Sequence, residues 1–86
     1  MAHLSELAEI VVRYRRYNPV SGEMDIERTQ LDYANLLGVS RVFITQISNG
    51  DREPGVDLLR SLSRAFPPAA DDIAVALKSR PEPIAV

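Results

Sequence analysis

The chain has 86 residues, no cysteine, no tryptophan and one histidine, with ten Lys/Arg against twelve Asp/Glu for a formal charge of −2. That length builds one core of four or five short helices and leaves no room for a separate catalytic lobe. Without cysteine there is no disulfide and no thiolate metal site, and Ile10-Val11-Val12, the longest aliphatic run, falls far short of the roughly 20 apolar residues of a membrane span.

No N-terminal signal pattern is visible, so a soluble, cytoplasmic protein is expected, held together by helix packing and, in so small a core, helped by dimerisation. Leu4, Leu7, Ile10 or Val11, and Tyr14 recur at three and four residues, giving a first helix one apolar stripe with Glu6, Glu9, Arg13 and Arg16 outside it. It is expected to end near Tyr17, because Asn18 precedes Pro19 and Ser21-Gly22 prolongs the break. The next start signal is Thr29, whose hydroxyl can cap free amides while Asp32 returns a bond, as a capping box with an unusual Asp partner; a start near Asp25 is the alternative.

Helix 2 runs to Leu37, burying Ala34 and Leu37 with Leu31 or Tyr33, and Gly38 suits a left-handed cap. Ser40 caps helix 3, with Val39 placed to pack on Ile44 as a hydrophobic staple, and the helix ends at Asn49-Gly50. After the charged connection Asp51-Arg52-Glu53-Pro54, Leu59, Leu62 and Phe66 mark the buried side of helix 4. Pro67-Pro68 terminates it, and residues 69–78 form a fifth helix with Asp71 and Asp72 at its positive end. The expectation is all-α: residues 1–80 as one domain and 81–86, PEPIAV, as an extended tail.

At about 100° per residue, Ile44 and Ile47 of helix 3 face the core together. Val42, Thr45, Gln46 and Asn49 gather opposite them, Arg41 at their edge and Phe43 on the far flank, with no acid anywhere from residue 33 to 50. A helix entering a DNA major groove needs such a face: long planar donors for purines and a small apolar group for thymine methyls. Arg41 suits a guanine, Gln46 an adenine, Val42 a thymine methyl, and Thr45 either kind of contact. The net negative charge opposes DNA binding, but it is uneven: Arg13, Arg15 and Arg16 lie in an acid-free stretch, while acids crowd residues 23–32 and 71–72.

Gln30, Tyr33-Ala34, Leu37-Gly38-Val39-Ser40, Ile44, Ile47, Asn49-Gly50 and Pro54 together resemble the Xre/Cro/phage-repressor helix-turn-helix family. The resemblance implies a lambda-repressor-like bundle of about five short helices, with helices 2 and 3 as the helix-turn-helix and no cofactor. It implies that Arg41, Val42, Thr45 and Gln46 touch bases and that Gln30, Ser40 and Asn49 hold phosphates, with Arg16 and Arg52 as further phosphate candidates. Two departures stand out. Ser48 occupies the place where the family commonly has a Glu that pairs with an Arg of helix 1, so Arg13 or Arg16 lacks that partner. The connection before Gln30 is longer than the family norm and carries Glu23, Asp25 and Glu27, which a phosphate backbone would repel, so it should point away from DNA, toward solvent or a protein partner.

His3, near a terminus and without a second His or Cys, reads as solvated and not as a metal ligand or base. Asp71-Asp72 reads as helix N-terminal charge, and no enzyme is expected. The resulting expectation is a double-stranded-DNA-binding repressor acting as a homodimer, through the last helix and tail with Val75, Leu77, Ile84 and Val86. The alternative is an antitoxin that binds a toxin and autoregulates its operon; a polymerase-contacting activator is a further use for the acids of 23–32.

Overall fold

Three hydroxyl side chains set where helices begin. In the computed structural model, which describes residues 4–79, Ser5, Thr29 and Ser40 each hold an extended backbone and accept a bond from the amide three residues on. They open α1 (Glu6–Tyr14), α2 (Gln30–Leu37) and α3 (Arg41–Ser48); α4 (Val56–Ala65) and α5 (Pro67–Ser79) complete the chain order. The start near Asp25 is not used. The capping box is half-formed: Thr29 Oγ1 accepts from the Asp32 amide at 3.0 Å, and no return bond from Asp32 is made.

Leu7, Ala8, Ile10, Val11 and Tyr14 bury one face of α1, so both Ile10 and Val11 belong to the core. On α2 it is Tyr33 that is buried, while Leu31 is exposed. On α4 Leu62, and Phe66 just after it, lie in the core as expected, while Leu58 takes the core place expected of Leu59, which only packs against its edge. Residues of all five helices share this single core, with α1 against α3 and α5, α2 against α3 and α4, and α4 against α5. Val39 packs on the same core, as a staple residue should.

Pro67-Pro68 does stop α4, but it also opens α5. Phe66 takes an extended backbone between the two helices, and prolines are tolerated in a first turn because those amides have no helical partner. Asp71 and Asp72 therefore sit beyond the first turn rather than at its positive end. Asp72 instead accepts from the Tyr14 hydroxyl at 2.5 Å and from Arg13 at 3.1 Å, tying α5 to α1.

α1 ends at Tyr14, three residues earlier than its pattern suggests, and its last carbonyls are all satisfied without further α-helix. Arg15, Arg16 and Tyr17 donate to Val12, Arg13 and Tyr14 at 3.4, 3.2 and 3.0 Å in tight turns. Val11 receives the Tyr33 hydroxyl at 2.5 Å. The next carbonyls, of Arg15 and Tyr17, take one guanidinium nitrogen of Arg28 at 3.0 and 2.6 Å, and that of Arg16 takes the Ile26 amide at 3.0 Å. Arg28 also lies 5.0 Å from the centre of the Phe66 ring, which packs against Tyr14 and Tyr17. The long connection closes on itself through a bridge between Asn18 and Glu23, with Val20 exposed at its tip. His3 and the tail 81–86 lie outside the described residues.

Tyr33→Phe leaves the buried Val11 carbonyl without its donor and should lower stability by about 1–3 kcal/mol in chemical denaturation. Burial pushes the Tyr33 phenol well above its ordinary value near 10.0, and burial with the Asp72 contact does the same to Tyr14. The folded chain then keeps protons that the unfolded chain releases. Stability should therefore hold through neutral pH and fall as pH rises above about 10, with a smaller alkaline loss in Tyr33→Phe. Gly38 sits at φ +73 with open space around its missing Cβ. Gly38→Ala should cost about 1 kcal/mol through backbone strain alone, and Gly38→Asn less, in the same denaturation measurement.

Candidate nucleic-acid interface

The turn between α2 and α3 is closed by backbone bonds: Gly38 donates to Asn35 at 3.3 Å and Val39 to Ala34 at 3.0 Å, with Gly38 in the left-handed region. The extended Ser40 then redirects the chain into α3, its Oγ accepting from the Phe43 amide at 3.1 Å. As an acceptor there, Ser40 keeps its hydroxyl proton free to donate outward. Ile44 and Ile47 fix the rotation of α3, being 2% and 0% exposed. With these two residues inward, Arg41, Val42 and Asn49 are exposed, Val42 at 59%, while Thr45 and Gln46 are half-buried.

Two side-chain pairings on this face are invisible in the sequence. Thr45 Oγ1 donates to Gln30 Oε1 at 2.5 Å, joining the first residue of α2 to the middle of α3. Thr45 is therefore turned toward α2, not simply outward as the helical wheel places it. Arg52, from the connection after α3, lies 4.8 Å from the centre of the Phe43 ring and donates from Nη1 to Gln46 Oε1 at 3.4 Å. Phe43, on the flank of the helix, packs against the core and gives Arg52 a platform. The connection itself is anchored by Ser5, whose hydroxyl donates to Glu53 at 2.6 Å, and by the buried Pro54.

Ser48 takes its own direction, its hydroxyl folding back on the Ile44 carbonyl at 2.9 Å. No brace runs from it to an arginine of α1. Arg13 finds Asp72 instead, across an exposed pair that adds little by itself. Arg16 is exposed, and among the described residues its side chain has no hydrogen bond or ion pair. Arg28 was not among the sequence candidates. Its neighbours Glu27 and Thr29 suggested only a charged loop running into a cap, and the carbonyls it binds come from residues more than ten positions earlier.

α3 carries no acid, and Asp32 and Asp51, the nearest acids in the chain on either side, are both exposed. Among the described residues no group of three or more His, Cys, Asp or Glu could hold a metal ion, and no helix is long and apolar enough to cross a membrane. The face thus offers one guanidinium, amide and hydroxyl donors, and a branched apolar side chain at the start of a helix, with a second guanidinium beside it.

Comparison with known proteins gives one positive result: residues 27–67 match the family model described as Helix-turn-helix. Neither the curated proteins nor the solved structures gave a match. The matched segment takes in α2, the Gly38 turn, α3, the Arg52 connection and α4, the elements that build and support the face. Residues 27–67 thus match the expected resemblance to the Xre/Cro/phage-repressor helix-turn-helix family, DNA-binding domains of transcription regulators, within an all-α, lambda-repressor-like fold.

Proposed function

We propose that this chain is a sequence-specific repressor that binds an inverted-repeat operator in double-stranded DNA as a homodimer, with α3 in the major groove. The observation that carries the reading is the acid-free outer face of α3, set in one orientation by the buried Ile44 and Ile47 and the left-handed Gly38 turn. Arg41 pairs a guanine, Val42 meets a thymine methyl, and Thr45 and Gln46 complete the base-facing set. Gln30, Ser40, Asn49 and Arg16 hold phosphates and fix the register, while Arg52, the remaining phosphate candidate, stands beside Gln46 at the edge of the base-facing set. The loop acids Glu23, Asp25 and Glu27 stay on the side away from DNA.

One module reads too few bases for an operator, and a two-fold pair reads half-sites about 10 bp apart. Val75 and Leu77 give α5 exposed apolar surface for such pairing, beside a groove of about 700 Å³ whose apolar lining includes Leu7, Val56, Leu59 and Ile73. Ile84 and Val86, the tail residues assigned to the same role, lie outside the described residues. The same groove supports a second reading, an antitoxin whose toxin fills it. A cytoplasmic location follows from either reading.

Arg41→Ala and Gln46→Ala should each relax preference at one base position per half-site, by about 1–3 kcal/mol of discrimination, with unchanged helical content. Selection of bound sequences from random duplexes reads this out, and an unaltered preference in both variants defeats the assignment. Arg16→Ala should weaken binding evenly across sequences and reduce the salt slope of log K by about 1. Leu77→Glu should shift the chain from dimer to monomer in sedimentation; a wild type that is already monomeric turns the groove toward the antitoxin reading.

A further inference from the structure

We propose that Arg52 is a specificity-determining residue that makes Gln46 a hydrogen-bond donor toward DNA, so that the base it meets is guanine and not adenine. This rests on the reading of α3 as a major-groove helix. A glutamine amide has one acceptor oxygen and two N–H donors, and its usual pairing with adenine uses both ends, accepting from N6 and donating to N7. A guanidinium has donors only. Whichever way the amide of Gln46 is turned, the end that Arg52 binds must be the carbonyl oxygen, and Arg52 Nη1 lies 3.4 Å from it.

Arg52 does not reach that position by chance of rotamer alone. Its guanidinium lies 4.8 Å from the Phe43 ring centre, Phe43 is packed on the core, and Phe43 and Gln46 are three residues apart on α3, hence neighbours on its surface. The connection that carries Arg52 is tied down on both sides, by the Asp51 amide on the Gln46 carbonyl at 2.9 Å and by Glu53 on Ser5. With Arg52 on its oxygen, Gln46 offers Nε2 outward, and a positive charge stands where the N6 amino group of adenine would have to come. Guanine suits this arrangement, since O6 and N7 are both acceptors: one for Gln46 Nε2, one for the free N–H groups of Arg52.

The Thr45 and Gln30 pair follows the same logic on the other flank. Their oxygens are 2.5 Å apart, and since the amide carbonyl has no hydrogen, the Thr45 proton lies between them. Thr45 then has no proton left for a base, and Gln30 keeps both N–H donors for a phosphate contact.

The test is selection from random duplex DNA with the full chain, its Gln46→Ala variant and its Arg52→Ala variant, followed by competition between operators with guanine or adenine at the Gln46-dependent position. Wild type is expected to prefer guanine there, and Arg52→Ala to move the guanine-to-adenine ratio toward adenine by about tenfold or more, with an unchanged melting temperature. A phosphate or purely structural role for Arg52 would weaken both operators alike and leave the ratio as it was; that result, or adenine in the wild type, overturns the proposal while leaving α3 as the reader. No enriched sequence, or one insensitive to Gln46→Ala, overturns the groove reading itself and this inference with it.

Discussion

The fold depends on closing the part-buried C-terminal end of α1. That end is packed against the Tyr14, Tyr17 and Phe66 cluster, where a bare carbonyl would cost as much as a lost hydrogen bond. Donors arrive from three places: the chain just after α1, the long connection through Ile26 and Arg28, and α2 through Tyr33. One set of bonds therefore positions α2, and α2 in turn positions the Gly38 turn and α3. The length of the connection has a structural use here, since it must double back through the Asn18 and Glu23 bridge to bring Ile26 and Arg28 to the helix end.

That arrangement also accounts for a helix-turn-helix with Ser48 in place of a bracing carboxylate. A salt bridge from α3 to α1 is one way to hold the two helices together. In this chain the buried Ile44, Ile47, Tyr33 and Val11 do so by packing, with the Tyr33 hydroxyl as the directed contact between α2 and α1. Arg13 is then taken up by α5 through Asp72, leaving Arg16 as the exposed cation at the end of α1. With an overall charge of −2, attraction to a polyanion has to come from such local placement, which makes a few contacts carry a large share of any discrimination.

The outer face of α3 is a coupled set of side chains. Gln30 is held by Thr45, Gln46 by Arg52, and Arg52 by the ring of Phe43. Side chains that already have partners lose less rotational freedom on binding and present fewer alternative hydrogen-bonding patterns. Only Arg41, Val42 and Asn49 project from the helix as freely as a helical wheel implies.

Local signals in the sequence determined a good deal. The caps at Thr29 and Ser40, the left-handed Gly38, the inward Ile44 and Ile47, and the acid-free face all depend on residues within one or two turns of each other, where backbone geometry leaves few choices. The errors fell where the deciding partner was distant in sequence or where one signal has two uses. Pro67 both ends a helix and opens one; Asp72 looks like helix N-terminal charge until Tyr14 and Arg13 pack against it; Leu58 and Leu59 are adjacent, and only the neighbouring helices choose between them. Arg28 was an ordinary charged loop residue in the linear chain, and Arg52 only a phosphate candidate. Tertiary structure alone brought one to the end of α1 and the other onto Phe43 beside Gln46, because a hydrogen bond is decided by a few tenths of an ångström that periodicity does not encode.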